Sequence, residues 1–155
     1  MEGTVAMDGG YVLLAEDHRD FVSVFVDSLR VGGIENEVVA VRDGKETLEY
    51  LLGTGEHQGR DTNIMPSLVV LDLHMPRLDG LEALRTIRAD ERISNLPVVV
   101  FSATASPHDV TEAYRLGANS FIDKASLGTM SYPELVALMV RYWLFINEAP
   151  PSPAL

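Results

Sequence analysis

Short, almost wholly apolar runs alternate along this chain with longer stretches whose apolar positions recur every three or four residues. Residues 11–15 (YVLLA) run directly into two acids, Glu16 and Asp17, and predict a buried strand. Phe21, Val22, Phe25, Val26 and Leu29 follow at helical spacing, and the glycines at 32 and 33 stop that helix. Residues 37–41 (EVVAV), 67–72 (SLVVLD), 97–101 (PVVVF) and 119–123 predict four more strands. Between them lie helices carrying Leu48, Leu51 and Leu52, with Asp43 as the cap, and Leu81, Leu84 and Ile87 after Asp79-Gly80. Ser106-Pro107 opens another, with proline at its first position, and Pro133 begins a last one expected to run to about Asn147. The stretch 53–66 reads as a loop, long for a compact domain.

Five strand-helix repeats with strands apolar on both sides imply a parallel sheet covered on each face. Right-handed crossovers make it an α/β doubly wound sandwich, flavodoxin-like, with strand order 2-1-3-4-5. The expected domain spans 11–147, with a flexible arm at 1–10 and a proline-rich, extended tail at 148–155. With 155 residues there is room for one domain, and no output domain is expected after Asn147.

Polar residues change the picture where the strands end. Ligands of such sheets bind outside the carboxyl ends, near the reversal of strand order. The first strand runs into Glu16-Asp17, the third into Asp72, the fourth into Ser102, and Lys124 follows the fifth. Singly, each of these is an ordinary turn or cap residue. Together, at four strand ends, they gather three carboxylates, a hydroxyl and an ammonium. Crowded carboxylates call for a hard dication, and an oxygen-only donor set favours Mg²⁺ or Mn²⁺. A carboxylate can also attack phosphorus and form an acyl phosphate, and phosphoryl transfer needs chiefly positioning and neutralised charge.

Charge and composition narrow the partners. The net charge of −11 argues against nucleic acid. No apolar run is long enough to span a bilayer, and residues 1–10 do not read as a secretory leader. The absence of cysteine excludes disulfides, zinc-thiolate sites and thiol catalysis, and a cytoplasmic location is the expectation. The four histidines, His18, His57, His74 and His108, fall in separate loops or helix starts and are expected to play surface roles.

At this point the chain resembles the receiver domain of two-component response regulators. Glu16-Asp17 matches that family's metal-binding pair, VVLDLHMPRLDG (69–80) the segment around its phosphorylated aspartate, and VVVFSA the strand ending in its Ser/Thr-Ala switch pair. GANSFIDK (117–124) matches the stretch with the switch aromatic and the lysine. The resemblance implies phosphorylation at Asp72, a metal site of Glu16, Asp17, Asp72 and the main-chain carbonyl of His74, and phosphoryl binding and switching by Ser102, Ala103, Phe121 and Lys124. It gives His74 and Thr104 influence over water access. It also implies a sensor histidine kinase as phosphoryl donor, signalling to an unknown downstream protein, and no enzymatic activity beyond self-phosphorylation and autodephosphorylation. Two departures stand out. Ala125 replaces the family's usual proline after the lysine, and the loop 53–66 is longer than usual. These, with the ending VRYWLFIN, resemble the stand-alone regulators that partner bacterial phytochromes.

Two other readings compete. A Mg²⁺-dependent phosphohydrolase with an aspartyl nucleophile usually has a second aspartate two residues on, where this chain has His74. A degenerate receiver acting as a scaffold would lack a key residue, and none is missing. The last helix is apolar nearly all round. Leu135, Leu138, Met139, Tyr142 and Ile146 are expected to face the sheet, leaving Val136, Val140, Trp143 and Leu144 for a homodimer contact.

Overall fold

The computed structural model describes residues 8–103 and 105–151. Thr104, most of the expected arm and the end of the tail lie outside them. Strands β1 (Val12–Ala15), β2 (Val38–Val41), β3 (Leu68–Leu71), β4 (Val98–Ser102) and β5 (Ser120–Asp123) form one parallel sheet in the order β2-β1-β3-β4-β5. Helices α1 (Arg19–Val31), α2 (Gly44–Leu52), α3 (Gly80–Ala89), α4 (Pro107–Arg115) and α5 (Tyr132–Arg141) connect and cover it. This is the expected flavodoxin-like architecture.

The two-residue period of the strands sorts the core into two layers. Leu13, Val69, Leu71, Val98 and Val100 pack toward α2, α3 and α4, against Leu51, Leu84, Ile87 and Ala113. Val12, Leu14, Leu68, Val70, Val99 and Phe101 face α1 and α5, against Phe25, Leu29, Val136 and Val140. Each such fully buried side chain contributes about 1.5–3 kcal/mol of transfer free energy. Asp43 caps α2 by accepting from the Glu46 amide at 2.8 Å, as expected. Residues 8–10, counted above with the arm, form a turn instead: the carbonyls of Asp8 and Gly10 accept from buried Asn36 at 2.9 and 2.7 Å.

The last helix corrects the sequence reading. Val136 and Val140 are fully buried and Leu144 nearly so, with half-buried Trp143 packed beside them, so the stripe assigned to a dimer contact faces the sheet. Leu138, Tyr142 and Ile146 are exposed instead, and Phe145 with them, whereas Met139 is buried as expected. Both stripes have helical spacing, so periodicity could not choose between them. The charges could: Glu134, Leu138 and Arg141 share one face at four- and three-residue steps, and that face meets solvent. Past Arg141 the backbone widens into a π-helical turn, Tyr142–Ile146, which shifts the register again.

The long loop is ordered around Arg60. Its guanidinium lies 4.1 Å from the Tyr50 ring centroid and donates to the carbonyls of Tyr50 (2.6 Å), Leu51 (3.4 Å), Asp61 (3.1 Å) and Ile64 (2.7 Å). A 3-10 turn, Gly55–His57, is tied to α2 by His57 and Glu46 at 2.9 Å. Arg42, directly after β2, bonds both Glu46 and Glu56.

Candidate functional site

Parallel register brings the chosen residues to one rim. Ala15 pairs with Leu71, Leu71 with Val100, and Ser102 with Asp123. The next residues outward are therefore Glu16-Asp17, Asp72 and Lys124, side by side. Main-chain bonds hold the step off each strand: Glu16 N–H to Val41 O at 2.9 Å, Asp72 N–H to Ala15 O at 3.2 Å, and Lys124 N–H to Ser102 O at 2.9 Å.

Lys124 reaches across the sheet. Its Nζ lies 3.5 Å from Oε1 of Glu16, 4.9 Å from the Phe101 ring centroid and 5.6 Å from that of Phe21. Glu16 is only 5% exposed, and the Lys124 ammonium is the charge partner set against it. His18 sits over the same acids, Nδ1 at 3.2 Å from Glu16 Oε2 and 3.0 Å from Asp17 Oδ1. The hydrogen bond to Glu16, then the Asp17 charge, hold its pKa above the usual imidazole value. Sequence reasoning left His18 to a surface role; its adjacency to the acid pair was the available signal. Ligand atoms of Glu16, Asp17 and His18 lie within 4.8 Å of one another, a trio that does not include Asp72.

Asp72 Oδ1 accepts from the His74 amide at 3.3 Å, and Gly80 closes the base of the site. A Cβ on Gly80 would lie 2.2 Å from the Asp72 carbonyl oxygen, so glycine alone permits this approach. Ser102 is fully buried and its hydroxyl has no hydrogen-bond partner among the described residues; the same holds for Oδ1 of Asp17, whose contact with His18 is close but not a hydrogen bond. Ala103 beside it is exposed. Phe121 is half-buried against the α2–α4 layer, its N–H donating to the Tyr114 hydroxyl at 3.1 Å. Tyr132 stacks near Phe101, its phenol pushed up to about 12 by burial and then by Glu16. Where the expected proline is replaced, Asp123 builds the turn: Oδ1 accepts from Ala125 N–H at 2.8 Å and Oδ2 from the Ser126 hydroxyl at 3.2 Å.

The residues present fit a hard divalent cation. The donors are carboxylate oxygens, and a buried Asp17 oxygen without a hydrogen bond among the described residues is an acceptor that a cation would satisfy. The sequence profile described as "Response regulator receiver domain" matches residues 12–130. The chain belongs to the response regulator receiver family. This receiver is 32% identical over 148 residues to the "Probable methanogenesis regulatory protein FilR2" of Methanothrix harundinacea, covering 94% of this chain and 90% of that protein. It is 30% identical to the response regulator Rcp1 of Synechocystis over 133 residues, 86% of this chain and 88% of that one. A Mn²⁺-bound structure of Rcp1 superposes with a TM-score of 0.79 at 28% identity, covering 91% and 99%. The response regulator RPA3017, in red light signaling of R. palustris, gives a TM-score of 0.80 at 32% identity, covering 92% of the receiver and 99% of its own chain. The phosphorylated cyanobacterial phytochrome response regulator RcpA also superposes on the receiver, with a TM-score of 0.80 at 30% identity, covering 91% and 98%.

Proposed function

We propose that this receiver accepts a phosphoryl group on Asp72 from a sensor histidine kinase of the phytochrome type, and that it signals by protein contacts in the cytoplasm. The observation that carries the reading is a single sheet rim with a carboxylate at Asp72, an acid pair, a buried hydroxyl that has no hydrogen-bond partner among the described residues, and a lysine. A carboxylate oxygen of Asp72 attacks phosphorus, the bond from phosphorus to the donor histidine breaks, and that imidazole leaves with the electron pair. Glu16, Asp17, Asp72 and the His74 carbonyl are the proposed holders of Mg²⁺ or Mn²⁺, which when bound neutralises charge on the phosphoryl oxygens. Ser102 donates its free hydroxyl to one phosphoryl oxygen. Lys124 exchanges Glu16 for another, its stem remaining packed between Phe21 and Phe101. Ala103 moves inward with Ser102, and Phe121 rotates toward the core as the loop vacates space. Self-phosphorylation from small donors and autodephosphorylation complete its chemistry.

Phosphohydrolysis is disfavoured, because position 74 offers imidazole where such enzymes usually have a second aspartate. A second copy of the chain is the proposed cover for the exposed stripe Leu138, Tyr142, Phe145 and Ile146. The test of acceptor chemistry is labelling by acetyl phosphate with and without EDTA. Wild type labels only with Mg²⁺ or Mn²⁺, as a hydroxylamine-labile adduct, and Asp72→Asn does not label. Labelling of Asp72→Asn equal to wild type, or labelling in EDTA, overturns the assignment.

A further inference from the structure

Arg77 is the one non-glycine residue with positive φ among the described residues, at 66°. Glycine would adopt that conformation without penalty, whereas a side chain is strained there. The compensation is visible. Arg77 Nε donates to Asp43 Oδ2 at 2.6 Å and Nη2 to Oδ1 at 3.3 Å. The Asp43 side chain is only 5% exposed and caps α2 at the same time. The pair is therefore a fork set into a buried acceptor, unlike the exposed ion pairs that contribute almost nothing.

The clamp lies within the segment carrying Asp72. Beside it, Gly44 N–H donates to Leu78 O at 3.0 Å, and a Cβ on Gly44 would come within 2.2 Å of that oxygen. At the other end, Gly80 N–H donates to Leu73 O at 3.0 Å. Residues 74–76 thus run between the Leu73–Gly80 bond at the start of α3 and an anchor on the start of α2. Their main chain can shift only if one anchor gives.

We infer that Arg77, acting through Asp43, is a positioning residue that fixes the main chain between Asp72 and Gly80 for cation and phosphoryl binding. This rests on the reading of Asp72 as acceptor. Strain at Arg77 is retained because its guanidinium reaches a buried carboxylate from that backbone conformation. Glycine at 77 relieves the strain and frees the loop.

The test uses the whole chain. Asp43→Asn combined with Arg77→Gly keeps a good helix cap, leaves no unpaired buried charge and removes the strain. The expected result is a urea midpoint at or above wild type, Mg²⁺ affinity by calorimetry about tenfold weaker, and slower labelling by acetyl phosphate. Arg77→Lys, which offers one point charge in place of a fork, falls between the two. A folded double variant with wild-type Mg²⁺ affinity and labelling overturns the inference. Should the double variant fail to fold, Arg77→Lys decides: weaker Mg²⁺ binding at an unchanged urea midpoint supports it, and any other result overturns it. A wild type that does not label at all, or Asp72→Asn that does, fails the acceptor reading and is told apart by that control.

Discussion

Replacing Gly80 by alanine adds one methyl group at the closest approach between α3 and the acceptor loop. The new carbon would lie 2.2 Å from the Asp72 carbonyl oxygen, 2.9 Å from Leu73 Cα and 3.0 Å from the Asp72 carbonyl carbon. Ordinary contact is about 3.5 Å, so the first turn of α3 and the loop must separate by roughly 1.3 Å. None of the three atoms is the end of a flexible side chain, so the backbone itself has to yield. Overpacking of this kind costs about 1–3 kcal/mol, against which alanine's better helix propensity returns at most about 1 kcal/mol. The expected net loss is about 1–2 kcal/mol, read as a lowered urea midpoint. The effect on phosphorylation should be larger. A displacement of about 1 Å in a positioned nucleophile can slow reaction about 100-fold. Labelling by acetyl phosphate in saturating Mg²⁺, followed against time, measures it. An alanine variant with wild-type stability and labelling rate would refute the claim that Gly80 sets the position of Asp72.

Three further outcomes are expected. Ser102→Ala removes a buried hydroxyl that makes no hydrogen bond among the described residues, so urea unfolding should show stability equal to wild type or higher by about 1 kcal/mol, while phosphoryl labelling falls; destabilisation with unchanged labelling contradicts this. Asp43 and Glu46 titrate below their ordinary values of 3.8 and 4.5, because burial, which pushes them up, is outweighed by bonds from Arg77 and the Glu46 amide, and from the Arg42 amide and His57, respectively. Depressed carboxylates contribute stability that is present above the unfolded values and lost as pH falls through the folded ones, so Asp43→Asn with Glu46→Gln should flatten the fall of the urea midpoint on acidification below about pH 5. Light scattering at micromolar concentration should find the wild type dimeric and the Leu138→Glu, Tyr142→Glu variant monomeric; a monomeric wild type removes the homodimer.

The sheet was legible because its strands are apolar on both faces and every helix between them carries a start or stop signal, such as Asp43, Ser106-Pro107 or Gly32. The rim was legible for a related reason: chemistry-bearing residues stand directly after the apolar runs, and parallel register aligns them. Other features were hidden because they depend on tertiary choice. The final helix offers two apolar stripes of equal period, separated in the sequence only by the face that Glu134 and Arg141 share, and it is Val136 and Val140 that pack in the layer of Val99 and Phe101. Partnerships such as Arg77 with Asp43, 34 residues apart, leave no local pattern. The same is true of Arg42 with Glu56 and of Arg88, which bonds the carbonyls of Ser94, Leu96 and Gly117.

Arg60 has an evolutionary consequence. Its guanidinium donates chiefly to main-chain oxygens, at Tyr50, Leu51, Asp61 and Ile64, with the Met65 sulfur at 3.9 Å as its one side-chain acceptor among the described residues. Every residue type carries such an oxygen. Substitution at 61–64 therefore leaves the acceptors in place, whatever side chain arrives. Selection on this surface can rewrite its chemistry without redesigning its shape. The freedom is bought at two positions: Arg60, and Tyr50, whose ring carries the guanidinium and whose hydroxyl bonds that of Tyr11 at 2.9 Å. A lineage that keeps this pair can vary the surface here while the rim around Asp72 stays as it is.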